Sequence, residues 1–180
     1  MKKILLVFCF SFTSVFFAAC PEVLDHDLRV LASKEVKNLC DYENKVILAV
    51  NVASRCGYTY QYKALQNLYQ NLLDREFVIL GFPSRDFMFQ EYKDESKVKE
   101  FCSTEYGVTF PMFATSSVKG KKANKFFKEL IKKTGEEPGW NFHKYLIGKD
   151  GTIIDSFATV TGPGSNKIIK KIDELLNSSS

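Results

Sequence analysis

Histidine is scarce in this chain. His26 and His143 are the only two among 180 residues, far apart and with no cysteine at ligand spacing, which argues against a zinc site and against metal chemistry generally. Excess charge is lacking as well. The net charge is only +4, and two of the lysines, Lys2 and Lys3, stand at the extreme N-terminus, so no basic footprint for nucleic acid remains. Internal repeats and low-complexity linkers are missing, and composition stays even from Pro21 to the polar end NSSS. Nor does any second cysteine fall within Cys56-Gly57-Tyr58-Thr59-Tyr60, which removes the closely spaced pair that a copper-delivery protein would need. What is present is ordinary globular composition, 45% hydrophobic and 26% charged, in a chain long enough for one domain with a real core and no need of disulfide staples.

The first twenty residues read as a leader. Met1-Lys2-Lys3 is a short basic start, and Ile4 to Phe17 is an almost unbroken apolar segment ending in Ala18-Ala19-Cys20, the form of a secretory signal but short for a bilayer span. Signal-peptidase cleavage after Ala19 would place Phe17 where a small residue is wanted. The run FAAC resembles instead the bacterial lipoprotein signal, in which the cysteine becomes the lipidated first residue, although leucine is commoner where Phe17 stands. The expectation is an exported protein, periplasmic and membrane-anchored through lipidated Cys20, with plain secretion or a retained anchor as alternatives. Cys9 is then lost and Cys20 consumed, leaving Cys40, Cys56 and Cys102.

Residues 21–180 read as a single α/β domain. Lys45 to Ala53 (KVILAVNVA) is apolar and β-branched, as a buried strand should be. Tyr62, Leu65, Leu68, Tyr69, Leu72 and Leu73 recur at helical spacing, and Phe77 to Phe82 is a second buried strand, so the unit is βαβ and the pair parallel. Val98, Phe101 and Cys102 predict a further helix, followed by a strand near Met112 to Thr115 and a helix carrying Phe126, Phe127, Leu130 and Ile131. Phe142 to Ile147 and Thr152 to Phe157 form a hairpin through Lys149-Asp150-Gly151, and Asn166 to Leu176 is the last helix. Strands and helices that alternate and close in a hairpin plus helix predict a thioredoxin-like fold: a central mixed β-sheet flanked by helices.

Cys56 falls just past the carboxyl end of the first long strand and ahead of the helix beginning near Tyr60, the edge where sites gather in open α/β sheets. A helix N-terminus stabilises a thiolate, and Arg55 would add positive charge. Position alone leaves Cys56 open between a reactive thiol and a small buried apolar residue.

The segments NVASRCGYT, GFPSRDFMFQE, EFCSTEYGVTFPMF and WNF occur in the order and approximate spacing of the glutathione peroxidase family, and the resemblance runs from about Leu24 to Leu176. It implies a thioredoxin-like fold and reduction of hydroperoxides without a cofactor, by a peroxidatic cysteine at Cys56 with Gln90, Trp140 and Asn141 as the rest of the catalytic group. The chemistry has use for those residue types: a thiolate attacks the weak O–O bond, and neutral N–H donors stabilise the charge that develops on the leaving oxygen. Taken singly, Trp140 reads equally as core packing, Asn141 as a strand start and Gln90 as a loop side chain. In the cysteine-dependent branch of the family reduced by thioredoxin-type proteins, a resolving cysteine lies ahead of YGVTFP, where Cys102 stands. Packing beside Val98 and Phe101 is the alternative for Cys102, and Cys40 is the other resolving candidate.

Where family members commonly read FPCNQFG this chain has FPSRDFM, so Ser84, Arg85, Asp86 and Met88 depart from the pattern beside the site. Pointed inward, Arg85 would lower the pKa of Cys56 and Asp86 would raise it. The stretch from Phe113 to Trp140 lacks the extra loop that tetrameric animal members use for assembly, so a monomer is expected. The resemblance implies organic or lipid hydroperoxides and hydrogen peroxide as substrates, with a thioredoxin-like protein or glutathione as reductant. A peroxide-sensing thiol oxidoreductase that passes a disulfide to a partner protein is the alternative function.

Overall fold

The structure, a computed structural model, describes residues 20–178. The leader, apart from Cys20, lies outside the described residues. A four-stranded sheet in the order β4-β3-β5-β6 forms the centre, built from β3 (Val46–Val52), β4 (Phe77–Pro83), β5 (Lys144–Ile147) and β6 (Ile153–Phe157). β3 and β4 run parallel, and β3–β5 and β5–β6 are antiparallel, so the sheet is mixed and the fold thioredoxin-like α/β. Around it lie helices α1 (Gln61–Asn71), α2 (Glu95–Tyr106), α3 (Lys125–Thr134) and α4 (Asn166–Asn177).

β3 and β4 are buried on both faces because they are apolar at every position but Asn51. Side chains alternate between faces along a strand. Val46, Leu48, Val50 and Val52 of β3, with Phe77 and Ile79 of β4, join one apolar cluster; Ile47 and Ala49, with Val78, Leu80 and Phe82, join the other. The first cluster is closed by Tyr62, Leu65 and Leu68 of α1, Val98 and Cys102 of α2, and Ile168 and Ile172 of α4. The second is closed by Phe126, Phe127 and Leu130 of α3 together with Val23 and Leu24 near the chain start. Each such side chain contributes about 1.5–3 kcal/mol by leaving water, so Leu48→Ala, at a fully buried position, costs about 2–5 kcal/mol.

Two features depart from the sequence expectation. The segment Met112 to Thr115 makes only isolated bridges, Gly81↔Met112 and Val30↔Phe113. It is threaded between β4 and the N-terminal region. Phe113 N–H donates to the Gly81 carbonyl on one side, while the Met112 carbonyl and Ala114 N–H bond Leu31 and Arg29 on the other. Pro111, with no N–H, ends any longer ladder. The second feature is a short antiparallel pair, β1 (Asp27–Arg29) with β2 (Val36–Asn38), whose polar exposed residues carry no apolar alternation. Among the described residues, no helix is long and apolar enough to cross a membrane.

Candidate active site

Cys56 sits in a turn between β3 and α1 that Thr59 locks. Thr59 Oγ1 accepts the Cys56 N–H at 2.9 Å, and its own hydroxyl donates to the Ala53 carbonyl at 2.9 Å, while Thr59 N–H donates back to the Cys56 carbonyl at 3.0 Å. The Tyr58 N–H points at the Cys56 sulfur from 3.4 Å, so a backbone donor is already in place for a thiolate. Cys56 is unpaired and only 8% exposed. Its neighbour Arg55 turns away: the guanidinium bonds the Phe89 carbonyl at 3.1 Å and lies over the Tyr92 ring at 4.9 Å.

Gln90 is tied to this turn through the main chain, its carbonyl accepting the Arg55 N–H at 2.9 Å. Its side-chain Oε1 accepts a 3.0 Å hydrogen bond from Asn141 Nδ2, so the two amides meet directly. Asn141 is fully buried and its Oδ1 has no partner among the described residues. The Asn141 carbonyl accepts the Thr159 hydroxyl at 2.8 Å. Trp140 is half-buried with its ring 5.5 Å from that of Phe87, and its carbonyl is held by Asn51 Nδ2 at 3.1 Å.

Both segments that carry the amides contain a bulky residue in the left-handed region. Met88 and Phe89, at φ +50° and +53°, immediately precede Gln90, and Phe142, at φ +63°, immediately follows Asn141. A side chain with a Cβ pays about 1–3 kcal/mol there, and such strain gathers at functional sites. At Phe142 the surroundings that enforce it are visible: its N–H donates to the Asn51 carbonyl at 2.6 Å, and its ring packs edge-on against Tyr62.

Cys102 belongs to the same apolar cluster as Cys56, is also unpaired and is 2% exposed inside α2. Burial pushes its thiol up to about 12, opposed by the nearby Tyr62 hydroxyl, which itself falls short of ordinary hydrogen-bond geometry. Cys40 stands elsewhere. It is joined in a disulfide to Cys20, with Leu39 and Tyr42 beside it packed into the cluster on the opposite sheet face. Of the departing residues, Asp86 is engaged by another segment, its Oδ2 accepting Ser117 Oγ at 2.9 Å and Val118 N–H at 2.7 Å, and Arg85 lies over the Phe89 ring. Ser84 is fully buried.

Sequence reasoning missed five supporting polar residues. Thr59 locks the cysteine turn. Asn51 grips both the Trp140 carbonyl and, through Oδ1, the His143 N–H at 3.0 Å. Lys144, fully buried, donates to Gln61 Oε1 at 2.6 Å and to the Thr161 carbonyl at 2.8 Å, while Gln61 Nε2 donates to the Thr159 carbonyl at 2.8 Å. The available signal was a polar residue inside an apolar run: asparagine in KVILAVNVA and lysine in FHKYLI. Glu91, beside Gln90, is buried too. Desolvation raises its carboxyl above the ordinary value, opposed by Ser54 and the Tyr92 N–H.

The profile of the family described as glutathione peroxidase matches residues 26–131, a span that contains Cys56, Gln90 and Cys102. A glutathione peroxidase homolog, BsaA, of Halalkalibacterium halodurans is 43% identical over 150 residues, covering 81% of this chain and 94% of that protein. A hydroperoxy fatty acid reductase of Synechocystis is 40% identical over 151 residues, covering 77% and 86%. Among solved structures, one described as Trgpx in apo form superposes with a TM-score of 0.70 at 35% identity, covering 89% of this chain and 98% of the other.

Proposed function

This chain belongs to the glutathione peroxidase family and is a thiol peroxidase, and on that premise we propose how its own residues divide the work. The Cys56 thiolate attacks one peroxide oxygen. An S–O bond forms as the O–O bond breaks, and the leaving alkoxide takes a proton to become an alcohol. Gln90, Asn141 and Trp140 supply N–H donors toward the oxygen on which charge develops, and the Tyr58 N–H steadies the thiolate. The Cys102 thiol then attacks the Cys56 sulfenic acid, water leaves, and a Cys56–Cys102 disulfide remains for an external dithiol to reduce. The observation that carries this reading is the Gln90–Asn141 amide pair, joined through the Gln90 carbonyl to the backbone of Arg55 and hence to the Cys56 turn.

An apolar rim supports bulky organic or lipid hydroperoxides as substrates. Tyr60, Met88, Phe89 and Val160 are each 64–75% exposed and flank, in sequence, Cys56, Gln90 and Thr159. Cys102 favours a thioredoxin-like protein over glutathione as reductant. Export, with Cys20 first in the exported chain, belongs to the same reading, and the leader is compatible with either lipid attachment or secretion. The short Phe113 to Trp140 stretch supports a monomer. Cumene hydroperoxide consumption with a thioredoxin system tests the assignment: it should vanish in Cys56→Ser, and retained turnover there would end it.

A further inference from the structure

We propose that Cys20 and Cys40 form an export-dependent structural clamp: a disulfide made once, outside the peroxide cycle, that consumes the sulfur a lipid anchor at Cys20 would need. The Cα atoms stand 5.7 Å apart, within the ordinary disulfide range. Both ends are placed by structure that does not depend on the bond. On one side, the β1–β2 ladder extends to the Leu39 N–H donating to the His26 carbonyl at 3.0 Å, and Asn38 Oδ1 accepts the Cys40 N–H at 2.8 Å. On the other, Pro21 to Leu24 make a tight turn whose Val23 and Leu24 are 2% and 1% exposed. Pro21 packs so closely on the β5–β6 turn that a Cβ added at Gly151 would collide with it. The Leu24 carbonyl lies 3.7 Å from the Cys40 sulfur, so docking of this turn brings Cys20 back to Cys40.

The two cysteine pairs are separated by the sheet. Cys56 and Cys102 belong to the cluster on one face, whereas Cys20 packs against the cluster on the other, which α3 also covers. Cys40 is therefore screened from a sulfenic acid at Cys56 and also already bonded, which leaves Cys102 as the resolving thiol. A thioether to diacylglycerol and a disulfide both use Cys20 Sγ and exclude each other. The bond forms by thiol–disulfide exchange: the two thiols lose two electrons and two protons to a protein disulfide donor, which leaves as a dithiol. Such donors act in exporting compartments and not in a reducing cytosol, which makes the clamp export-dependent.

The test uses the full chain expressed with its own leader in a bacterial host, its thiols alkylated at lysis and its peptides mapped without reduction. The expected result is a peptide pair linked through Cys20 and Cys40, present before any peroxide is added and unchanged after one equivalent of cumene hydroperoxide. A Cys20 peptide carrying a diacylglyceryl adduct with alkylated Cys40 would overturn the proposal, as would alkylation of both cysteines or a peroxide-induced link from Cys40 to Cys56. In Cys40→Ser, peroxide turnover should stay within about twofold while the melting temperature falls by about 6–12 °C, the effect of opening a loop of this size. Lost turnover at an unchanged melting temperature would place Cys40 in the cycle instead.

Discussion

Asn141 Nδ2 donates a 3.0 Å hydrogen bond to Gln90 Oε1 across 51 positions of sequence, and each amide is flanked by a residue held at positive φ. The contact fixes which atoms stay free: the second N–H of Asn141 and both N–H groups of Gln90 remain available to an incoming oxygen. Removing either amide takes away a donor and lets its partner swing. Asn141→Ala and Gln90→Ala are therefore each expected to slow oxidation of Cys56 by about 10²-fold, the usual loss for a donor to developing oxyanion charge. Because the two act as a pair, the double variant should be little slower than either single one. Stopped-flow tryptophan fluorescence during oxidation measures this.

Thr59→Val keeps the shape of the side chain but leaves the Cys56 N–H without its acceptor. The expected cost is about 1–3 kcal/mol of stability, from one buried donor left unsatisfied. Cys56 oxidation should slow as the turn loosens, whereas Thr59→Ser, which restores the oxygen, should recover most of both losses. Urea unfolding read beside peroxide kinetics separates the two effects.

Cys102 lies inside α2, and its thiol is pushed up to about 12 by burial, so in the folded helix it is a protonated thiol. A folded-state pKa above the unfolded one means the native protein holds this proton more tightly. The associated stability is complete below about 9 and is lost as pH rises from there toward 12. With Cys102 as the proposed resolving thiol, local opening of α2 is the expected step that exposes the sulfur and returns it to an ordinary thiol. Hydrogen exchange should show α2 amides around Cys102 opening faster in the oxidised enzyme than in the reduced one. Cys102→Ser should reduce one equivalent of peroxide and then stall with thioredoxin as donor.

Lys144 gives a second pH signature. Burial lowers its ammonium to about 7, so the unfolded chain holds a proton that the native state releases, and this group makes stability rise with pH from about 7 toward 10.5. Between pH 7 and 9 it acts below the window of Cys102. Lys144→Met should remove a slope of up to about 1.4 kcal/mol per pH unit there, measured by urea unfolding at three pH values.

Most of the sheet was legible because β3 and β4 are almost wholly apolar and the helices carry apolar stripes. The expected strand at Lys45 to Ala53 is β3, the helix near Tyr60 is α1, and the closing hairpin and last helix fall where periodicity put them. The β1–β2 pair was not legible, since residues such as Asp27, Arg29 and Lys37 lie on the surface and show no alternation. Met112 to Thr115 misled for the opposite reason: its apolar residues are covered, Phe113 almost fully, by bridging two neighbours rather than by joining a ladder. Within the site, the residues proposed to carry the chemistry stand in recognisable motifs. Thr59, Asn51 and Lys144 were not legible, because a lone polar residue in an apolar run gives no hint of its partner until the chain is folded. The Cys20–Cys40 pairing was equally hidden, since sequence spacing cannot reveal two ends brought together by a turn and a hairpin.

The most direct test of the account is peptide mapping of the enzyme after one equivalent of cumene hydroperoxide, starting with Cys56 and Cys102 reduced. The expected result is loss of two hydrogens as a Cys56–Cys102 link. One added oxygen at Cys56 with no link would contradict the resolving part and favour a sensor that hands its oxidation to a partner. A Cys56 peptide left unoxidised while peroxide disappears would contradict the account at its centre.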